Sequence, residues 1–160
     1  MTDSACDSSS LAANSHAADR SDAIALGADR SGLLDSLVAL FGSEHVLTTE
    51  EACAFYSHDV FRAGQQALAV VQPGSVKELQ QLLRTLRDAG VTVVPRGGGM
   101  SYTDGYLPEQ RDSVMVDMRR MNRIEEINAE ARYVVVEAGV TWSELNDALE
   151  AYGLRTPFWG

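Results

Sequence analysis

From residue 33 onward, large apolar residues recur at spacings that alternate between helical and extended periods; before it they are almost missing. Leu33, Leu34, Leu37, Val38 and Phe41 share one helical face that Gly42 ends. A second helix is expected from Thr48, whose hydroxyl would cap the first turn while Glu51 reaches back, turning Ala52, Phe55 and Tyr56 inward. Ala67 to Val71 is a short apolar run closed by Pro73-Gly74, the pattern of a buried strand before a turn. Ser75 and Glu78 have the spacing of a capping box, and Val76, Leu79, Leu82, Leu83 and Leu86 make an apolar stripe as far as Gly90. Val91 to Val94 is rich in β-branched residues. The stretch Ala67 to Val94 therefore predicts strand, helix, strand with a parallel crossover.

Further along, Val114 to Met118 and Tyr133 to Glu137 read as strands, with a short strand at Arg123 to Ile127 between turns at Met121-Asn122 and Asn128 to Ala131. Their order predicts an antiparallel meander. A last helix is signposted by Thr141 and Glu144 as a capping box, by Trp142, Leu145, Ala148, Leu149 and Tyr152 on one face, and by Gly153 at its end. The whole pattern is that of an α+β fold without internal repeats.

Composition changes this picture at its start. Up to about Arg30 the chain is mainly Ala, Ser, Asp and Asn, too poor in large apolar groups to offset chain entropy, so residues 1–30 are expected to be a disordered tail and residues 31–160 the folded part. With 160 residues and 45% hydrophobic content, one domain with a core is the expectation. Charge narrows the partners: 13 Lys and Arg against 23 Asp and Glu give a net charge of -10, which repels nucleic-acid phosphates and anionic lipids. An anionic small molecule must then be held by local donors. Cys6 and Cys53 are far apart, so a disulfide framework is excluded, and Cys53 in its apolar run reads as a small buried hydrophobe. No stretch has the pattern of a leader or the length of a membrane span, so a cytoplasmic location is expected. His16, His45 and His58 stand alone and are assigned no catalytic part.

The chemistry is concentrated in Pro95-Arg96-Gly97-Gly98-Gly99-Met100-Ser101-Tyr102, directly after a strand. Successive glycines permit positive φ and leave the backbone uncovered, so consecutive N–H groups can converge on an anion, with pyrophosphate the natural guest. A P-loop would need Lys where Met100 stands. A dinucleotide fingerprint would need a third glycine at Tyr102 and a helix opening inside the loop, whereas Thr103-Asp104-Gly105-Tyr106-Leu107-Pro108 cannot start one, even though Asp117 mimics the ribose-binding acid.

Pro95, Arg96, Gly97, Gly99, Ser101 and Gly105 together resemble the pyrophosphate loop of the FAD-binding domain of the vanillyl-alcohol oxidase and p-cresol methylhydroxylase superfamily. Tyr56 with Asp59, Val71-Gln72-Pro73 with Val76 and Glu78, Val116-Asp117-Met118 with Met121-Asn122, and Glu137-Ala138-Gly139-Val140-Thr141-Trp142 with Leu145 are similar to further segments of that family, in the same order. The resemblance implies a PCMH-like fold: a small parallel strand-helix-strand subdomain, then the start of an antiparallel sheet with helices. It implies FAD bound through Pro73, Pro95, Arg96, Gly97, Gly98, Gly99, Met100, Ser101, Tyr102 and Gly105, with the backbone of Gly97 to Ser101 and the Ser101 hydroxyl on the pyrophosphate and Pro73 near the adenine. Tyr56 and Asp59 are read as structural, Asp59 capping a turn. Some relatives attach the flavin through a His where this chain has Met100, so FAD is expected to be non-covalent here.

The activity implied is oxidation of a CH–OH substrate, a 2-hydroxy acid by similarity to glycolate and D-lactate dehydrogenases, with a separate electron acceptor. In the family the substrate domain and the usual catalytic residues follow this segment. The apolar ending Arg155-Thr156-Pro157-Phe158-Trp159-Gly160 reads as a partial FAD-binding domain cut short, inactive alone. Two other readings stay open: an NADPH-using reductase of the same fold, and a non-catalytic module, truncated or completed by a second chain.

Overall fold

A computed structural model of the chain describes residues 19–158, with side chains from residue 30 onward. The chain separates into two compact units, Met1–Gly32 and Leu33–Gly160. Residues 1–18 of the expected disordered tail lie outside the described residues. Residues 19–30 form the first part of α1 (Asp19–Phe41), where three alanines and Leu26 are good helix formers.

In the second unit, Leu33, Leu37 and Phe41 are the buried side of α1, and Gly42 at φ 84° ends it as its spacing predicts. A 3-10 turn at Ser43–His45 leads to β1 (Val46–Leu47) and then α2 (Glu50–Tyr56). The cap of α2 is Thr49, one residue beyond the expected Thr48: its hydroxyl accepts the Ala52 amide, so Glu51 falls outside a capping box. The shift turns Cys53 and Tyr56 inward and leaves Phe55, expected inside, 57% exposed.

β2 (Ala69–Val71), α3 (Val76–Asp88) and β3 (Thr92–Arg96) form the expected strand-helix-strand unit. Ser75 accepts the Glu78 amide, while the Glu78 carboxylate takes the amide of Gly74 rather than that of the cap residue. Leu82 and Leu86 carry the buried side of α3, and Val76 and Leu83 of the predicted stripe stay exposed.

The sheet departs from expectation at β4 (Ser113–Asp117). Instead of opening a meander, β4 inserts between β2 and β3, parallel to both, in the strand order β1-β2-β4-β3 with β1 antiparallel at one edge. Every residue of β4 is buried, as suits a central parallel strand covered on both faces. Pro95 is tolerated because β3 is the other edge and needs no donor there. The antiparallel part reduces to one hairpin, β5 (Ile124–Asn128) and β6 (Tyr133–Val136), followed by α4 (Trp142–Glu150) with its full Thr141–Glu144 capping box.

Strand alternation separates two cores. Ala69, Val71, Val114 and Val116 face α1 and α3 with Leu37, Leu82 and Leu86. Val70, Val94 and Met115 face the other way, with Tyr56 of α2 and Tyr106 of the glycine loop. At 25 cal/mol per Å² each fully buried Leu or Val contributes about 2 kcal/mol before entropy is deducted.

Candidate functional site

The second face continues past its apolar residues into charge. One step beyond Val94 is Arg96, one step beyond Met115 is Asp117, and the two are register partners at the carboxyl ends of parallel strands, where ligand crevices of open α/β sheets form. Both are buried.

Asp117 is saturated from within the protein. Tyr56 donates to its Oδ2 at 2.9 Å and Gln72 Nε2 at 2.8 Å; Arg119 donates through Nε at 3.0 Å, Nη2 at 2.9 Å and its own amide at 3.1 Å. Arg119 Nη2 also donates to the Tyr56 hydroxyl. Burial raises the energy of the carboxylate, but these donors outweigh it and hold the group below its ordinary value. With its lone pairs so engaged Asp117 has no capacity for a ribose, so its likeness to the ribose-binding acid ends at its place on a strand end. Tyr56 is thus structural, and so is Asp59: its Oδ1 accepts the amides of Phe61 and Arg62, both at 2.8 Å, and they lower its pKa.

Arg96 is different. Its guanidinium carbon lies 4.8 Å from the centroid of the Tyr56 ring and 5.1 Å from that of Tyr106, and no carboxylate pairs with it among the described residues. Its Nε is buried without an acceptor. The head lies against Gly99, where a Cβ would come within 2.3 Å of Nη2 and push the guanidinium aside; the φ of 83° at Gly99 is what favours glycine there.

The loop above this cation exposes its backbone. The amides of Gly98, Gly99, Met100, Ser101 and Tyr102 meet no acceptor among the described residues. A Cβ at Gly98 would meet only the Thr141 methyl at 4.0 Å, and one at Gly97 the Ala138 carbonyl at 3.1 Å. The Ala-Gly-Val-x-Trp segment therefore forms the opposite wall of the same site. Gly139 holds that wall in place: its amide donates to the Met121 carbonyl at 2.8 Å, and its Cα sits where any Cβ would be 2.1 Å from the Met118 carbonyl.

Ser101 Oγ accepts the amides of Thr103 at 3.3 Å and Gly105 at 3.2 Å, so its lone pairs shape the turn and its O–H is what remains to donate. Met100 is 61% exposed. Tyr102 stands outside with its ring 5.9 Å from that of Phe61, and Arg62 pairs with Asp104 below them. Pro95 lies exposed on the edge strand. Pro73 is fully buried beyond β2, where it shapes the turn and has no open face.

Sequence reasoning found the loop and missed the Arg96–Tyr106 contact. A signal existed, since Tyr106 is the one aromatic residue in the turn Thr103 to Pro108. The donor set fits a diphosphate: unpaired amides, a hydroxyl donor and a buried cation, which no carboxylate pairs with among the described residues. Among the described residues no cluster of three or more His, Cys, Asp or Glu has metal-binding geometry, and no helix is long and apolar enough to cross a membrane.

A family model described as "FAD binding domain" matches residues 67–160. The chain is 32% identical over 117 residues to a 1'-carboxy-chondrochloren decarboxylase of Chondromyces crocatus, covering 72% of this chain and 22% of that protein. It is 38% identical over 88 residues to a mitochondrial cytochrome-linked D-lactate dehydrogenase of Arabidopsis thaliana, covering 55% of this chain and 15% of the relative. The chain thus spans about a fifth or less of these relatives. In fold it is similar to p-cresol methylhydroxylase, with a TM-score of 0.69 and 24% identity over 79% of this chain and 25% of that structure.

Proposed function

The chain belongs to the FAD-binding domain family of FAD-linked oxidoreductases, and from that premise we propose that it holds FAD non-covalently, its diphosphate on the loop Gly97 to Ser101, as the cofactor-binding part of an oxidase or dehydrogenase of CH–OH substrates, first among them a 2-hydroxy acid. The observation that carries the reading is the run of unpaired amides from Gly98 to Tyr102 above the uncompensated Arg96 cation.

The chain's residues have definite tasks on this reading. Backbone amides and the Ser101 O–H orient the diphosphate, and Ala138 and Thr141 flank the loop at Gly97 and Gly98. Met100 presents a thioether, which forms no flavin linkage, so retention rests on these contacts alone. Bound FAD supplies a hydride acceptor at N5, and a separate electron acceptor restores it. The 2-hydroxy acid is supported by the D-lactate dehydrogenase relative, since D-lactate is a compound of that class.

Titration of the purified chain with FAD, followed by quenching of flavin fluorescence, is expected to saturate at one equivalent, with all flavin released on denaturation. Flavin retained on the denatured polypeptide would refute the non-covalent assignment, and absence of any uptake the FAD reading. Bleaching of the flavin band by D-lactate or D-2-hydroxyglutarate, in a protein extended to the length of its relatives, tests the substrate class; bleaching by phenols and not by hydroxy acids would overturn it.

A further inference from the structure

Tyr106 belongs to none of the motifs that point to the cofactor, yet it makes two contacts to the loop that no other side chain makes together. Its hydroxyl donates to the Gly99 carbonyl at 2.7 Å, and its ring stacks on the Arg96 guanidinium at 5.1 Å. Tyr106 is itself buried and part of the apolar cluster with Val94 and Met115, so its position is fixed by the core.

The first contact fixes a peptide plane. In a trans peptide the carbonyl and the following N–H point in opposite directions. Drawing the Gly99 carbonyl inward to a buried hydroxyl therefore turns the Met100 N–H away from the core. Gly99 can take this orientation because its φ of 83° suits only glycine. The second contact concerns charge. A buried cation normally needs a carboxylate, and the nearest by register, Asp117, is consumed by Arg119, Gln72 and Tyr56. Two aromatic faces hold the Arg96 head without neutralising it, so its positive charge stays directed at the loop.

We propose that Tyr106 is the positioning residue of the diphosphate loop: it aims the Met100 amide by pinning the Gly99 carbonyl and, with Tyr56, keeps Arg96 as an uncompensated cation beneath the site. The proposal rests on the FAD reading for its ligand. Its stereochemical part stands on the protein alone.

The test compares wild type, Tyr106→Phe and Arg96→Met. Phenylalanine keeps the ring over Arg96 and loses only the hydroxyl; methionine keeps an apolar stem between the rings and loses only the charge. FAD and inorganic pyrophosphate are titrated calorimetrically. Tyr106→Phe is expected to weaken both by about five- to tenfold, the worth of one hydrogen bond, and Arg96→Met by about tenfold or more, with the melting temperature of ligand-free Tyr106→Phe close to wild type.

Amide exchange and 15N relaxation of the ligand-free proteins supply an independent readout: Tyr106→Phe is expected to loosen Gly99, Met100 and Ser101 while the strands stay protected. Unchanged loop dynamics in Tyr106→Phe would overturn the positioning role whether or not FAD binds. Unchanged FAD affinity in both variants, with wild type binding FAD, would overturn it while leaving the FAD reading intact. A wild type that takes up no FAD, with the loop loosened in Tyr106→Phe, would sink the FAD reading and keep the positioning role.

Discussion

At the scale of single residues the decisive contrast is between two buried charges one strand apart. Asp117 is fully compensated and Arg96 is not, so the first is a structural pivot and the second keeps its charge for the role proposed for it. The pivot has a pH signature. Burial opposes the charge of Asp117, yet the donors from Arg119, Gln72 and Tyr56 prevail and its pKa lies below the ordinary value. A depressed carboxyl contributes stability that is complete above the unfolded value of about 3.9 and is lost as pH falls through the folded one. Burial and the neighbouring Asp117 push the Tyr56 phenol up, so it stays neutral across this range. Urea unfolding between pH 3 and 7 should show Asp117→Asn about 2 kcal/mol less stable than wild type at neutral pH. The gap should hold above about pH 4 and begin to narrow below it, as wild type starts to lose this contribution. A gap that stays constant over the range would mean that the cluster does not store its energy in the Asp117 charge. The sequence shows Asp117 only as an acid at a strand end; Arg119 is its neighbour in the chain, but Gln72 and Tyr56 come from 45 and 61 positions away.

At the scale of elements, the caps were legible and the strand order was not. Capping depends on a hydroxyl and an amide three residues apart, so Ser75 and Thr141 are where their spacing puts them, and Thr49 replaces Thr48 by a single step. The place of β4 depends instead on closing a long connection, from the end of β3 through the glycine loop, that returns the chain between two strands already laid down. Its uniformly apolar centre, Val114-Met115-Val116, was the available sign of burial on both faces. The glycine of the Ala-Gly-Val-x-Trp segment is an inter-element joint. A Cβ at Gly139 would stand 2.1 Å from the Met118 carbonyl and 2.7 Å from that of Met121, both backbone atoms that have little room to yield. Gly139→Ala is accordingly expected to cost about 2–4 kcal/mol in chemical denaturation and to weaken FAD binding, since the same segment walls the loop. Wild-type stability in this variant would show that the joint opens at no cost.

For the molecule as a whole, the net charge of -10 opposes the ligand that its loop is built to accept. The two act over different distances. The general field reaches out about 10 Å at 0.1 M salt and less at higher salt, while the loop amides and Arg96 act at contact. Encounter and retention should therefore separate: stopped-flow association with FAD is expected to accelerate between about 10 and 150 mM salt as the long-range repulsion is screened. A rate that falls with salt would place a positive field at the mouth of the site that outweighs the rest of the surface. What the sequence determined by itself was local: glycines that bare consecutive amides, caps three residues apart, and a composition poor in cations, each a property of a few neighbouring residues or of a simple sum. Only the tertiary structure decided which buried charge is neutralised, which aromatic holds the loop, and which strand lies at the centre. Those outcomes are contacts across distant parts of the chain, and no local pattern contains the geometry that closes them.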